Sequence, residues 1–249
     1  MQWSRKQLIR EIVTSAVYRQ ASRHREDIDG RDPINQLLSR QNRLRVEAEI
    51  VRDLALSASG LLTPKVGGPS VFPPLPSGVA EVSYANNFKW KTSTDEDRYR
   101  RGMYTFFKRT APHPNLITFD CPDANTTNVD RPDSNTPLQA LVMLNNEVFV
   151  EAAQHLAAEL LVEQRASIDD RGLLSIGLRR AIARTPREAE LDEFQRLLAA
   201  ARAYYKEHHD DAEKLTARHA VDGVDVAENA AWVAVMRMVL NLDEVIVRD

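Results

Sequence analysis

Cysteine is almost missing from this chain: Cys121 is the only one among 249 residues. A lone thiol excludes an internal disulfide and an all-cysteine metal site, and the Cys-x-x-Cys-His that attaches a c-type haem does not occur. It fits a reducing compartment, and equally an exported protein that uses no disulfides. An excess of one charge is lacking too. Lys plus Arg number 33 against 36 Asp plus Glu, a formal net charge of −3. That balance gives no global pull toward nucleic acid, so no nucleic-acid partner is expected. No apolar run reaches the roughly 18 residues of a membrane-spanning helix. The opening MQWSRKQLIREIV has neither an apolar h-region nor a small-residue cleavage site, so it does not read as a signal peptide. It begins inside an amphipathic pattern, as a fragment of a longer protein would. Glycine-rich phosphate loops, a Gly-x-Ser-x-Gly elbow and His-Glu-x-x-His are also absent.

What is present is apolar periodicity and a concentration of proline. Hydrophobic residues make up 43% of the chain, enough for a real core. Of the 12 prolines, ten fall between Pro64 and Pro137. They divide a single all-α domain into N-terminal helices (1–60), a proline-rich, mostly irregular middle segment (61–135) and C-terminal helices (136–249). After Ser4 as a cap, Leu8, Ile9, Ile12, Val13, Ala16 and Val17 recur on one helix face. A second helix is expected from about Pro33 to Ser57, burying Leu37, Leu38, Leu44, Ala48, Val51 and Leu54, with Gly60 ending it. Thr136-Pro137 is a cap followed by proline at the first helical position. Asn145-Asn146 marks a break before a helix over Val148–Glu163. Leu173 to Ile182 suggests a further helix. Thr185-Pro186-Arg187-Glu188 reads as a capping box opening a long helix toward His208. Ala227–Leu242 closes the chain, with Trp232, Val235, Val239 and Leu242 on one face.

The strap 65-KVGGPSVFPPLP-76 must be extended, because proline fixes φ and removes a donor. Pro-Pro-Leu-Pro resembles a ligand for aromatic grooves. Val71, Phe72 and Leu75 argue instead for a brace laid on the protein's own core, with Phe72 against Tyr99, Met103 and Phe106. Farther on, 93-STDEDRYRRGMYTFFKRT-110 has capping-box spacing at Ser93 and Glu96, and reads as a helix whose stripe is Tyr99, Met103 and Phe106 or Phe107.

The richest polar stretch is 109-RTAPHPNLITFDCPDANTT-127. It gathers His113, Asp120, Cys121 and Asp123, types that serve a metal site or a Cys–His nucleophile pair. The same residues beside prolines are ordinary turn formers, and that reading is the simpler one, so no metal is assigned. Cys121 alone reads as a small buried filler. Arg98, Arg101 and Arg109 lie among aromatics; they could hold an anionic ligand or pair with acids of the domain. His208-His209 sits in a charged run and reads as a solvated helix end. His24 lies in a polar junction.

Three long strings carry a resemblance: 63-TPKVGGPSVFPP-74, 98-RYRRGMYTFFKRTAPHPNLITFDCPDANTT-127 and 134-SNTPLQALVMLNNEVFVEAA-153. With 13-VTSAVYRQASRHR-25, 40-RQNRLRVEAEIVRD-53 and 240-LNLDEVIVRD-249, they resemble a planctomycete-type C-terminal domain of unknown function, the PSD domain or domain of unknown function 1553. The resemblance implies a place downstream of cytochrome-like domains in longer, commonly exported proteins. It implies no catalytic residue. By it, haem belongs only to upstream domains of related proteins, this chain carries no cofactor of its own, and its partners are those domains or operon-encoded proteins. The expected role is an accessory or interaction domain. The rival is an enzyme or ligand-binding site in the proline-rich middle.

Overall fold

A computed structural model describes residues 3–28, 30–76, 89–164, 168–216 and 218–248. It is all-α, as expected, with a single two-stranded ladder among the described residues. The chain partitions into two compact units, one of Met1–Val46 with Ile246–Asp249 and one of Glu47–Val245.

In the larger unit, α9 (Val226–Leu240) lies against α5 (Glu147–Gln164), α7 (Glu188–Glu207) and α8 (His209–Thr216). Its sequence is apolar nearly all round, which is what a helix enclosed by others requires. Trp232, Val235, Met236 and Val239 are fully buried, as are Ala152, Ala153, Leu156 and Leu160 of α5. Each large side chain buried this way stabilises by roughly 2 kcal/mol. Around this pair sit α2 (Ala48–Ala58), α3 (Pro114–Thr118), α4 (Pro137–Asn145) and α6 (Asp170–Ile182). Gly177 lets α6 approach closely: a Cβ there would meet Met236 Sδ at 3.0 Å and Leu160 Cδ1 at 3.1 Å.

Several caps read from the sequence are present. Thr136 and Gln139 form a complete capping box with Pro137 at the first turn. Asn146 ends α4 and α5 follows at once. Gly60 takes φ +78° after α2, a conformation costly for any residue with a Cβ. Ser4 caps α1 (Arg5–Thr14) by accepting from Gln7 N. The start of α7 differs from expectation. Arg187 is the cap residue, its N–H bonding Glu190 Oε2 at 2.7 Å, while Thr185 lies outside the helix. The charged run at His208-His209 is not merely a helix end, since His209 opens α8.

Two expected helices are corrected. Only Ala48–Ala58 of the 33–57 stretch is helical, and Leu37, Leu38 and Leu44 are exposed rather than buried. The reason is local. Asp32 accepts from Gln36 N at 2.6 Å and Leu37 N at 3.0 Å, and Asn35 Nδ2 donates to Arg40 O and Asn42 Oδ1, so side chains rather than helical bonds satisfy the backbone. In the smaller unit β1 (Leu44–Arg45) pairs antiparallel with β2 (Val247–Arg248). The 93–110 stretch forms two short 3₁₀ turns, Asp95–Tyr99 and Gly102–Tyr104, with extended backbone around them. Met103 is therefore exposed instead of sharing a buried stripe.

Candidate functional site

The strap is a brace. Val71, Pro73 and Pro74 are buried, and Val71 bridges in parallel to Thr105, with Val71 N donating to Tyr104 O and Phe106 N to Val71 O, each at 2.8 Å. Thr63 bridges to Arg100 in the same sense. Phe72 stacks on Phe106 with ring centroids 4.9 Å apart and meets Trp90 edge-on at 5.1 Å. Trp90 Nε1 donates to Pro73 O at 2.8 Å.

Two side chains of α2 hold the segment that the strap grips. Buried Arg52 donates to the carbonyls of Arg98 (2.5 Å) and Arg100, and burial lowers its pKa to about 10. Asp53 accepts from Gly102 N at 2.5 Å and from Arg101 Nε at 3.3 Å. Gly102 is required by proximity, since a Cβ would stand 2.2 Å from Glu49 O. Arg100, fully buried, donates to Pro69 O at 3.0 Å and to Gly67 O, and lies 4.0 Å over the Tyr104 ring. Charge-assisted bonds to carbonyls and the ring face compensate its desolvation.

A second polar cluster centres on Glu151, whose side chain is 7% exposed. Its carboxylate accepts from Arg98 Nη2 at 2.9 Å and Tyr99 Oη at 3.0 Å, with Arg218 Nη1 at 3.5 Å and His219 Nε2 at 3.9 Å. Glu147, one turn earlier, shares both arginines. Burial pushes the Glu151 carboxyl up, but His219, Arg98 and Tyr99 outweigh it and hold it at about 2. His155 lies edge-on to His219 at 5.4 Å and bonds Ser59 O through Nδ1 at 2.6 Å. Two arginines pair with two carboxylates, so the cluster clamps residues 98–99, α5 and residues 218–219 together.

The residues singled out from the sequence are not convergent. His113 is buried and caps α3: Nδ1 accepts from Asn115 N at 3.2 Å, which leaves Nε2 to donate to Pro74 O at 3.1 Å. Desolvation, with Arg52 nearby, lowers its pKa to about 4, so the ring is neutral. Asp120, at φ +64°, accepts from Ser134 N at 3.0 Å, Ser134 Oγ at 2.6 Å and Gln139 Nε2 at 3.3 Å. The Cys121 thiol is pushed up to about 11 by burial and by Glu49, whose Oε1 is 3.8 Å away, which is opposite to the activation a nucleophile needs. Asp123 forms an exposed turn with Asn125. Among the described residues no three of His, Cys, Asp or Glu are placed to hold a metal ion. Arg98 and Arg101 are joined to acids, while Arg109 is exposed. The Glu151 cluster escaped the sequence reading, because its members come from positions 98 to 219. Glu147 and Glu151 at helical spacing were its one local signal.

The smaller unit is built in the opposite way. α1 buries no side chain. Leu8, Ile9, Ile12 and Val13 share one face and are exposed, and Trp3, Val17 and Tyr18 are exposed beside them in sequence. Arg5, Lys6 and Arg10 are exposed on the same helix.

Latched loops and a helical core define an all-α domain, in which His113, Asp120, Cys121 and Asp123 each face a different partner. The particular family follows from its residues: 1–198 match the family described as Protein of unknown function (DUF1553), and the chain belongs to it. Neither a curated protein nor a solved structure matches. Among the described residues no helix is long and apolar enough to cross a membrane.

Proposed function

We propose that this domain is a non-catalytic accessory module that docks onto other domains of a larger, exported, cytochrome-associated protein. One observation carries the reading: α1 leaves its apolar face exposed, while His113 and Asp120 of the middle segment are engaged in holding the fold together. An apolar surface of this kind is the signature of a binding face. The partners are upstream domains of the same polypeptide or operon-encoded proteins, and any haem belongs to them. The planctomycete-type resemblance supports the export and cytochrome context. The rival reading is an enzyme or ligand-binding site, metal-dependent or not, in the proline-rich middle at His113, Asp120, Cys121 and Asp123 with Arg98, Arg101 and Arg109; it has against it that these side chains face different partners.

The test uses domains encoded upstream in the same frame or operon, expressed separately and titrated against the full chain. Binding is expected, and Leu8→Asp with Ile12→Asp should weaken it at least about tenfold, since two apolar contacts of roughly 1 kcal/mol each give that factor. Both positions are exposed, so the fold should survive. Absence of binding, or a stoichiometric metal in elemental analysis, would overturn the reading.

A further inference from the structure

The charge of the chain is unevenly divided. Residues 1–46 hold ten Lys or Arg against five Asp or Glu, whereas residues 47–249 hold 23 against 31. The surplus of positive charge thus belongs to the unit that exposes the apolar face. On α1 the arrangement is specific. At 100° per residue Leu8, Ile9, Ile12 and Val13 span one side, Lys6 and Arg10 follow along one edge, and Arg5 stands at its start. The same unit also exposes Ile34, Leu37, Leu38 and Leu44.

Resting on the docking role proposed above, we infer that α1 receives a protein helix whose apolar stripe is flanked by carboxylates. Three observations select this occupant. Cations at the edge of an apolar face attract an acidic rim and steer its approach. A second copy joined α1 to α1 would bring two surpluses of five positive charges together, which costs association. A bilayer surface suits a helix whose polar side is strongly basic. Here that side carries Gln7, Glu11 and Thr14 as well, and the helix is only 10 residues long. So short a helix has little stability alone and gains from packing against another element.

The experiment uses the full chain and two synthetic helical peptides of about 18 residues, long enough to hold helix. Both carry the same leucine stripe, flanked by glutamate in one and by lysine in the other. Trp3, fully exposed, reports contact by a blue shift, and Trp3→Phe supplies the background of Trp90 and Trp232. The glutamate peptide should bind at least about tenfold tighter than the lysine peptide, and the preference should shrink in about 0.5 M salt as charges are screened. Arg5→Glu with Lys6→Glu and Arg10→Glu should reverse the preference. Equal binding by both peptides would overturn the inference. So would tighter partition onto vesicles containing phosphatidylglycerol, or self-association abolished by the Leu8→Asp, Ile12→Asp variant. If the upstream domains bind while the glutamate peptide does not, the acidic-helix assignment falls and the docking role stands. If neither binds, both fall.

Discussion

His113 shows how a residue that invites a catalytic reading is used structurally. Its ring closes the first turn of α3 through one nitrogen and pins the strap at Pro74 through the other. The bond to Asn115 is local, but the one to Pro74 is not visible in the sequence, because Pro74 lies 39 positions away. What could be read was the turn chemistry: His113 before Pro114, and Asp120 and Asp123 among small polar residues, do accept from backbone and hydroxyl donors. The burial has a pH signature. His113 is held at about 4 against an ordinary 6.5, so between those values the unfolded chain binds the proton that the folded protein refuses. Stability should therefore fall as pH drops from 6.5 to 4, by about 3 kcal/mol over the full window. Denaturant titrations at pH 7, 5.5 and 4.5 measure it. His113→Asn keeps a side chain able to cap α3 and should flatten the slope; an unchanged slope in that variant would reject the assignment.

At the scale of elements, legibility depended on whether local signals or distant partners decide the backbone. Helix α4 was readable from its own cap and α9 from its apolar run. Residues 93–110 carry a capping pattern too, yet Arg52 takes the carbonyls of residues 98 and 100, and Asp53 takes the Gly102 amide, so distant side chains replace the helical bonds. The strap was legible through the apolar character of Val71 and Phe72. Its partner was legible in part, since Phe106 does stack on Phe72 while exposed Met103 does not belong to the buried set. Phe72 is half-buried, so Phe72→Ala should cost about 2 kcal/mol, below the range for a fully buried phenyl. Phe106→Ala removes the other half of the same stack, and the double variant should cost less than the two single effects together. Thermal or denaturant unfolding of the three variants gives the coupling. A wild-type midpoint for Phe72→Ala would return the strap to the role of a partner ligand.

Across the whole molecule, apolar residues are distributed as unevenly as charge. The larger unit buries most of α9, and its amides open only when packing against α5, α7 and α8 is lost. In the smaller unit the described residues include just two buried apolar side chains, Val46 and Ile246. Its irregular stretch relies on side-chain bonds such as those of Asp32 and Asn35, and α1 relies on its own backbone bonds and the Ser4 cap. A ten-residue helix with no buried face frays at little cost in free energy, whereas core helices exchange through opening near the global stability. Hydrogen exchange on the full chain should therefore show amides of 5–14 exchanging at least about a thousandfold faster than those of 230–240, a gap equivalent to roughly 4 kcal/mol of opening free energy. Adding a partner that covers the apolar face should slow exchange in 5–14 while leaving 230–240 unchanged, because only the first set gains contacts. Protection of α1 equal to that of α9 in the isolated chain would show that the face is already covered, and would remove the basis for a docking role.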